Sequence, residues 1–141
     1  MKILFGVLLI LHGLIVAAQS GSSFNPTSGP ANPAWLSWWP VNLGQSWLFI
    51  PSGAENSPIA RGLGILWLAA GLALLAAGLA VLGIIIPMEW WRTLALAGAA
   101  LSIVMLAIYL HPLFGIGIGA SLLILAALLI RQWPVLGQIG L

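Results

Sequence analysis

The sequence predicts an all-α integral membrane protein, four transmembrane helices in an antiparallel bundle, and three observations predict it. Only four residues are Lys or Arg and two are Asp or Glu in a chain of 141. That is 4% charged, against about 25% for an ordinary soluble domain. Hydrophobic residues make up 62% and the mean hydropathy is +1.15. Third, the apolar residues fall in runs of roughly membrane-spanning length. A soluble protein of 14.8 kDa needs polar groups over its surface, and this chain has too few. Soluble domain, nucleic-acid binder and disordered tail are therefore excluded. The pI near 10.0 reflects four cations against two acids, and cations scattered along an apolar chain make no basic patch. With no cysteine, disulfides, thiolate metal sites and Cys nucleophiles are excluded as well.

The spans follow in order within one membrane domain, residues 1–141. The first covers residues 3–19, bounded by Lys2 and Gln19-Ser20-Gly21, and is about 25 Å long as a helix. Lys2 and Val16-Ala17-Ala18 also fit a signal peptide cleaved after Ala18. Because His12-Gly13 interrupts the apolar stretch, a retained helix is the expectation. Residues 20–57 break the apolar pattern with Pro26, Pro30, Pro33, Pro40 and Pro51, and hold Trp35, Trp38, Trp39 and Trp47. Tryptophan partitions to the membrane boundary, so a Trp-rich outer loop lying on the bilayer or capping the helices is expected, with a helical turn around Ala34 to Trp39. Ser57 as N-cap and Pro58 as first residue open the second span, 59–86, and Pro87 is expected to stop it. The third span, 90–110, begins with Glu89 and the anchor Trp90-Trp91-Arg92 and ends at His111-Pro112. The fourth, 113–131, leaves the membrane at Arg131, Trp133 and Pro134.

Orientation follows from the cations. With the N-terminus inside, Lys2, Arg92 and Arg131 are cytoplasmic and only Arg61 is outside, in agreement with the positive-inside rule. The expectation is N-in and C-in, in a cell inner membrane. Small residues are expected at the helix contacts. Ala69, Ala73, Ala76, Ala80 and Gly83 form one such row in the second span, and Gly115 and Gly119 a GxxxG pair in the fourth. The short links at 87–89 and 111–113 make the last three spans antiparallel neighbours.

His12 is the one costly polar group well inside a span, roughly 15 Å from its inner end. It can ligate a tetrapyrrole, hydrogen-bond a quinone, relay protons, or simply bond a hydroxyl or carbonyl on a neighbouring helix. His111, by contrast, is expected at the outer boundary within reach of water, and Tyr109 as an interfacial aromatic. The two histidines differ in depth by some 13 Å, which disfavours a shared haem. Ser102 and Ser121 lie inside spans without the motif of a hydrolase. No acid lies inside any span, which argues against ion-coupled transport.

The stretch Leu11-His12-Gly13-Leu14 in a short first span, followed by an outer loop and three apolar helices, resembles the DoxX-like group of small four-helix bacterial membrane proteins. Gly64 to Ala70, Trp90-Trp91-Arg92 and the link Leu110 to Gly115 resemble related proteins of the same size. The resemblance covers most of the chain apart from residues 24–57. It implies membrane redox work, a quinone or tetrapyrrole as the cofactor, and His12 and Gly13 as the positions concerned. From the residues themselves the expectation is a non-enzymatic accessory or assembly subunit, with the bilayer and a membrane-protein partner or second copy as its contacts. A redox component and a small carrier of lipid or apolar solute are the alternatives.

Overall fold

The computed structural model describes residues 1–26 and 30–130; the expected anchors Arg131 and Trp133 lie outside them. All regular elements among the described residues are helical. Four stretches are long and apolar enough to cross a membrane: Lys2–Phe24, Pro58–Leu82, Met88–Ile108 and Pro112–Leu129. This is the pattern of a multi-pass membrane protein.

The first stretch is α1 (Lys2–Ala18) followed by α2 (Ser20–Phe24). Gln19 keeps helical φ and ψ between them, so the polar step at Gln19-Ser20 does not end the helical path as expected. Ser20 and Ser23 are buried, and Ser23 is bonded to Tyr109. A polar residue with a partner can remain in a helix where an unpaired one would mark its end. The connection between the first two long helical stretches therefore begins near Asn25 rather than at residue 20.

The long helix α3 (Pro58–Leu82) starts as the sequence predicts: Ser57 Oγ accepts from the Ala60 N–H at 3.1 Å, with Pro58 first in the helix. It stops four residues before the expected end at residue 86. Gly83 adopts φ 74, its N–H donates to Ala80 O, and Ile84 N–H donates to Leu79 O. That pair of bonds is the left-handed glycine termination of a helix, so Gly83 and not Pro87 ends the span. Ile85 follows with φ 65 and a tight bond from Ile86 N–H to Ile84 O at 2.6 Å. The helix α4 (Trp91–Ile108) is entered through a short 3-10 turn at Met88–Trp90, and α5 (Gly115–Leu129) through another at Pro112–Phe114.

Packing runs from α1 to α3, from α3 to α4 and from α4 to α5, whereas α1 and α5 meet only sparsely. The α1–α3 contact rests on glycines. A Cβ on Gly13 would lie 2.6 Å from Gly71 O, and one on Gly78 would lie 2.6 Å from Gly6 O. The Phe24 ring sits over Gly64 in the same way. Gly64, Gly71 and Gly78 are spaced by seven, as are Gly6 and Gly13, the repeat that keeps one helix facing another. Without a hydrophobic driving force between helices in lipid, such close backbone approach supplies the association. The row expected from alanines is turned away from this seam. Ala80 is buried and Ala73 and Ala76 are half-buried, but Ala69 and Gly83 are exposed. Glycine permits a closer approach than alanine, so the glycines take the contact. Gly115 and Gly119 have nothing within 4 Å of an added Cβ among the described residues, so this pair packs closely against no other described helix.

Candidate functional site

Three helices converge on one hydrogen-bonded chain. His12 Nε2 of α1 lies 2.9 Å from Ser121 Oγ of α5, and Ser121 Oγ lies 3.2 Å from Ser102 Oγ of α4. Both serines are fully buried. Each hydroxyl carries one rotatable proton and the imidazole has two tautomers, so the chain can run in either direction, with His12 Nε2 as donor or as acceptor. Sequence reasoning treated the three residues separately; their relative depths allow the cluster, but only the packing order brings the helices together.

This bond bridges the sparse α1–α5 contact, and a cavity lies on each side of it. One, of about 290 Å³, extends toward Gln19 and is lined by His12, Gln19, Trp67, Leu113 and Phe114, with Leu43 of the connection between α2 and α3 also bordering it. The other, of about 340 Å³, extends toward Phe5 and is lined by Phe5, Leu8, His12, Leu123 and Ile124. His12, Ile15 and Ala120 border both. Among the described residues no Asp, Glu, Lys or Arg lines either cavity. Trp67 is 1% exposed and its indole N–H has no hydrogen-bond partner. A buried donor without an acceptor is costly and calls for an explanation. The signal was present in the sequence, since Trp67 is the one tryptophan in the middle of a span.

A second polar cluster holds the connection between α2 and α3 against the helix ends. His111, expected at a wet boundary, is 1% exposed. Its Nδ1 accepts from Leu113 N–H at 3.2 Å and its Nε2–H donates to Asn32 Oδ1 at 3.0 Å. The Asn32 amide in turn donates to Trp39 O and Val41 O. Burial lowers the His111 pKa from its ordinary value, which keeps the ring neutral as this bonding requires. Ser46 Oγ donates to Ile108 O and Trp47 Nε1 to Ala107 O, both at 2.8 Å, satisfying carbonyls that the end of α4 leaves open. Tyr109 is buried too, not interfacial; its hydroxyl accepts from Ser23 at 2.6 Å and its ring meets Trp67. Burial raises its pKa and the Ser23 bond lowers it, burial being the larger effect.

No family model, curated protein or solved structure matches the chain. The site must therefore be read from its own chemistry. Among the described residues no group of His, Cys, Asp and Glu could hold a metal. His12 and Ser121 stand at the distance of a base and nucleophile, but no carboxylate orients the imidazole, and catalysis of that kind needs one together with an oxyanion site. Tetrapyrrole ligation through His12 Nε2 would break the Ser121 bond, and His111 is buried with both nitrogens engaged. The arrangement is suited to a ligand that accepts or donates single hydrogen bonds in an apolar space.

The aromatic anchors separate into two sets. Trp35, Trp38, Trp47 and Trp90 are exposed, as boundary residues are. Trp39 is half-buried and stacks edge-on to Trp38 and His111. Trp91 is 4% exposed and meets Phe5 edge-on at 5.8 Å, so it belongs to the α1–α4 contact rather than to the lipid boundary. Arg92 donates to Leu128 O of α5, tying down the end of that helix.

Proposed function

We propose that this chain is a non-enzymatic, multi-pass protein of the bacterial inner membrane that holds a lipid-soluble ligand between its first and last spans. The observation that carries this reading is the pair of cavities meeting at His12, where two helices that barely touch are bridged by one hydrogen bond. In this reading the four candidate spans form an antiparallel bundle with both termini inside, and the cavities lie within the hydrocarbon layer, open to lipid-soluble molecules of the acylglycerol or quinone kind. The resemblance to DoxX-like proteins at His12-Gly13 supports both the bacterial membrane and a quinone-sized ligand. Purification in mild detergent, lipid extraction and mass spectrometry test it. The reading expects about one tightly held lipid or quinone per chain, lost in Ala120→Trp, which fills the waist between the cavities. Equal retention by both proteins would overturn it.

A second reading, an accessory subunit packed against another membrane protein, is favoured by Gly115 and Gly119. No described residue lies within 4 Å of a Cβ added to either glycine, and such pairs serve close helix contacts in membranes. Co-purification of a partner that is lost in Gly119→Ile supports it, and an unchanged partner in that variant counts against it.

A further inference from the structure

We infer that the connection between α2 and α3 is an acid-released flap: protonation of His111 frees residues 32–47 from the helix ends while α1, α3, α4 and α5 stay folded. This goes beyond the ligand-holding reading and does not depend on it.

Backbone groups fix the polarity of the bonds around His111. Leu113 N–H can only donate, so Nδ1 accepts at 3.2 Å and carries no proton. The neutral ring therefore keeps its proton on Nε2, 3.0 Å from Asn32 Oδ1. The Asn32 amide nitrogen faces two carbonyls, Trp39 O at 3.2 Å and Val41 O at 3.0 Å, which settles the orientation of that side chain as well. One neutral imidazole thus holds, through one amide, the backbone on both sides of Pro40. Further along, Ser46 and Trp47 are anchored on Ile108 O and Ala107 O. Leu43 lies between these anchors and borders the cavity at the Gln19 end.

A proton on Nδ1 removes the acceptor that Leu113 N–H uses and sets two donors against each other. It also makes a cation of a ring that is 1% exposed. The ring meets Asn32 and Trp39 of the connection and Leu113 and Phe114 of the following turn, and none of them is charged. Of the titratable groups on neighbouring elements, Tyr109 of α4 is bonded to Ser23, and Glu55 and Arg61 flank the start of α3. None of the three hydrogen-bonds or ion-pairs with His111 among the described residues. The only acidic side chains in the sequence are Glu55 and Glu89, so residues 27–29 bring no counter-charge either. A buried cation without a counter-charge is strongly disfavoured, so the protonated ring must reach water. The helix ends keep their own backbone bonds. The connection has only two short 3-10 turns as regular structure among its described residues, and it is the part that moves aside. Its lifting also hydrates the Trp39 indole N–H, which is buried without an acceptor among the described residues. Burial holds the His111 pKa of the closed form below its ordinary 6.5. The closed flap is therefore fully favoured above that pH, and opening rises roughly tenfold per pH unit below it until the closed form itself takes the proton.

The test is hydrogen–deuterium exchange of the full chain in phosphatidylcholine nanodiscs, read by mass spectrometry between pH 7.5 and 5 and corrected for the intrinsic exchange rate at each pH. Peptides covering residues 34–47 are expected to lose protection by roughly tenfold per pH unit below about 6.5, whereas those of α3 and α4 keep theirs. His111→Gln offers an oxygen to Leu113 N–H and an amide N–H to Asn32 without a titrating proton, and its protection is expected to be flat in pH. Where that variant folds poorly, His12→Phe decides, because His12 is the one other histidine; the acid-dependent loss is expected unchanged in it. Protection of residues 34–47 that does not vary with pH in the unaltered chain overturns the proposal. So does a loss that persists in His111→Gln or disappears in His12→Phe. A loss spread equally over α3 and α4 overturns it as well, since that is unfolding of the whole bundle and not release of the flap.

Discussion

Substituting Gly71 with alanine tests the α1–α3 seam on which the whole site depends. A Cβ at this position would lie 2.5 Å from Ala17 N, 2.5 Å from Gly13 O and 2.6 Å from the Ala17 Cβ, where real Cβ contacts essentially never fall below 3.0 Å. Two of these neighbours are backbone atoms, which cannot swing aside, so α1 must withdraw by about half an ångström along part of its length. Overpacking of this kind costs about 1–3 kcal/mol. Against it stands the better helix propensity of alanine, worth up to about 1 kcal/mol. A net loss of about 1–2 kcal/mol follows. Gly62→Ala on the same helix is the control, since nothing lies within 4 Å of its added Cβ, and it gains the propensity alone. Reversible unfolding in mixed micelles, followed by circular dichroism as the denaturing detergent is increased, measures both. Gly71→Ala is expected to fall below the parent and Gly62→Ala to equal or exceed it. If the two variants are equally stable, the glycine contact is not what holds α1 to α3.

Ser121→Ala removes the partner of His12 Nε2 and is expected to destabilise by about 0.5–2 kcal/mol, the range found for hydrogen bonds between membrane helices, in the same unfolding assay. His111 carries a pH dependence of definite sign. Its folded pKa is lowered by burial, so the unfolded chain binds more protons below the ordinary value of 6.5. Stability is therefore complete above that pH and falls as the pH drops through it; protonation also forfeits the bond from Leu113 N–H. Melting temperatures between pH 5 and 8 should show that loss, and His111→Gln should flatten it. Ile85 holds φ 65 while 93% exposed, a conformation that costs a β-branched residue of order 1 kcal/mol. Ile85→Gly is accordingly expected to raise the thermal midpoint, read by circular dichroism.

The spans were legible in the sequence because hydropathy and length act on each segment alone. The start of α3 was legible too, since Ser57 and Pro58 act within one turn. What lay between segments was read less well. The alanine row of the second span matched a helical face as well as the glycines did, and only the absence of a Cβ decides which face comes closest; the seven-residue spacing of Gly64, Gly71 and Gly78 was the signal available. Gly83 was passed over for Pro87, although a glycine after the last apolar turn is a stop in its own right. His111 and Tyr109 sit at the ends of spans, where a sequence suggests water. Their burial comes from Asn32 and Ser23, residues distant in the chain, and no local pattern announces such partners. His12 stands out in the sequence as the polar group of the first span, while the serines that meet it and the unpaired Trp67 N–H emerge only from the packing of α1, α3, α4 and α5.

The central claim, that the gap between α1 and α5 is a ligand site, is tested most directly by an experimental density map of the full chain in nanodiscs of native lipid. The account predicts elongated density between Ile15 and Ala120, passing beside His12. Direct packing of α1 on α5 along their length, with no density between them, would contradict it.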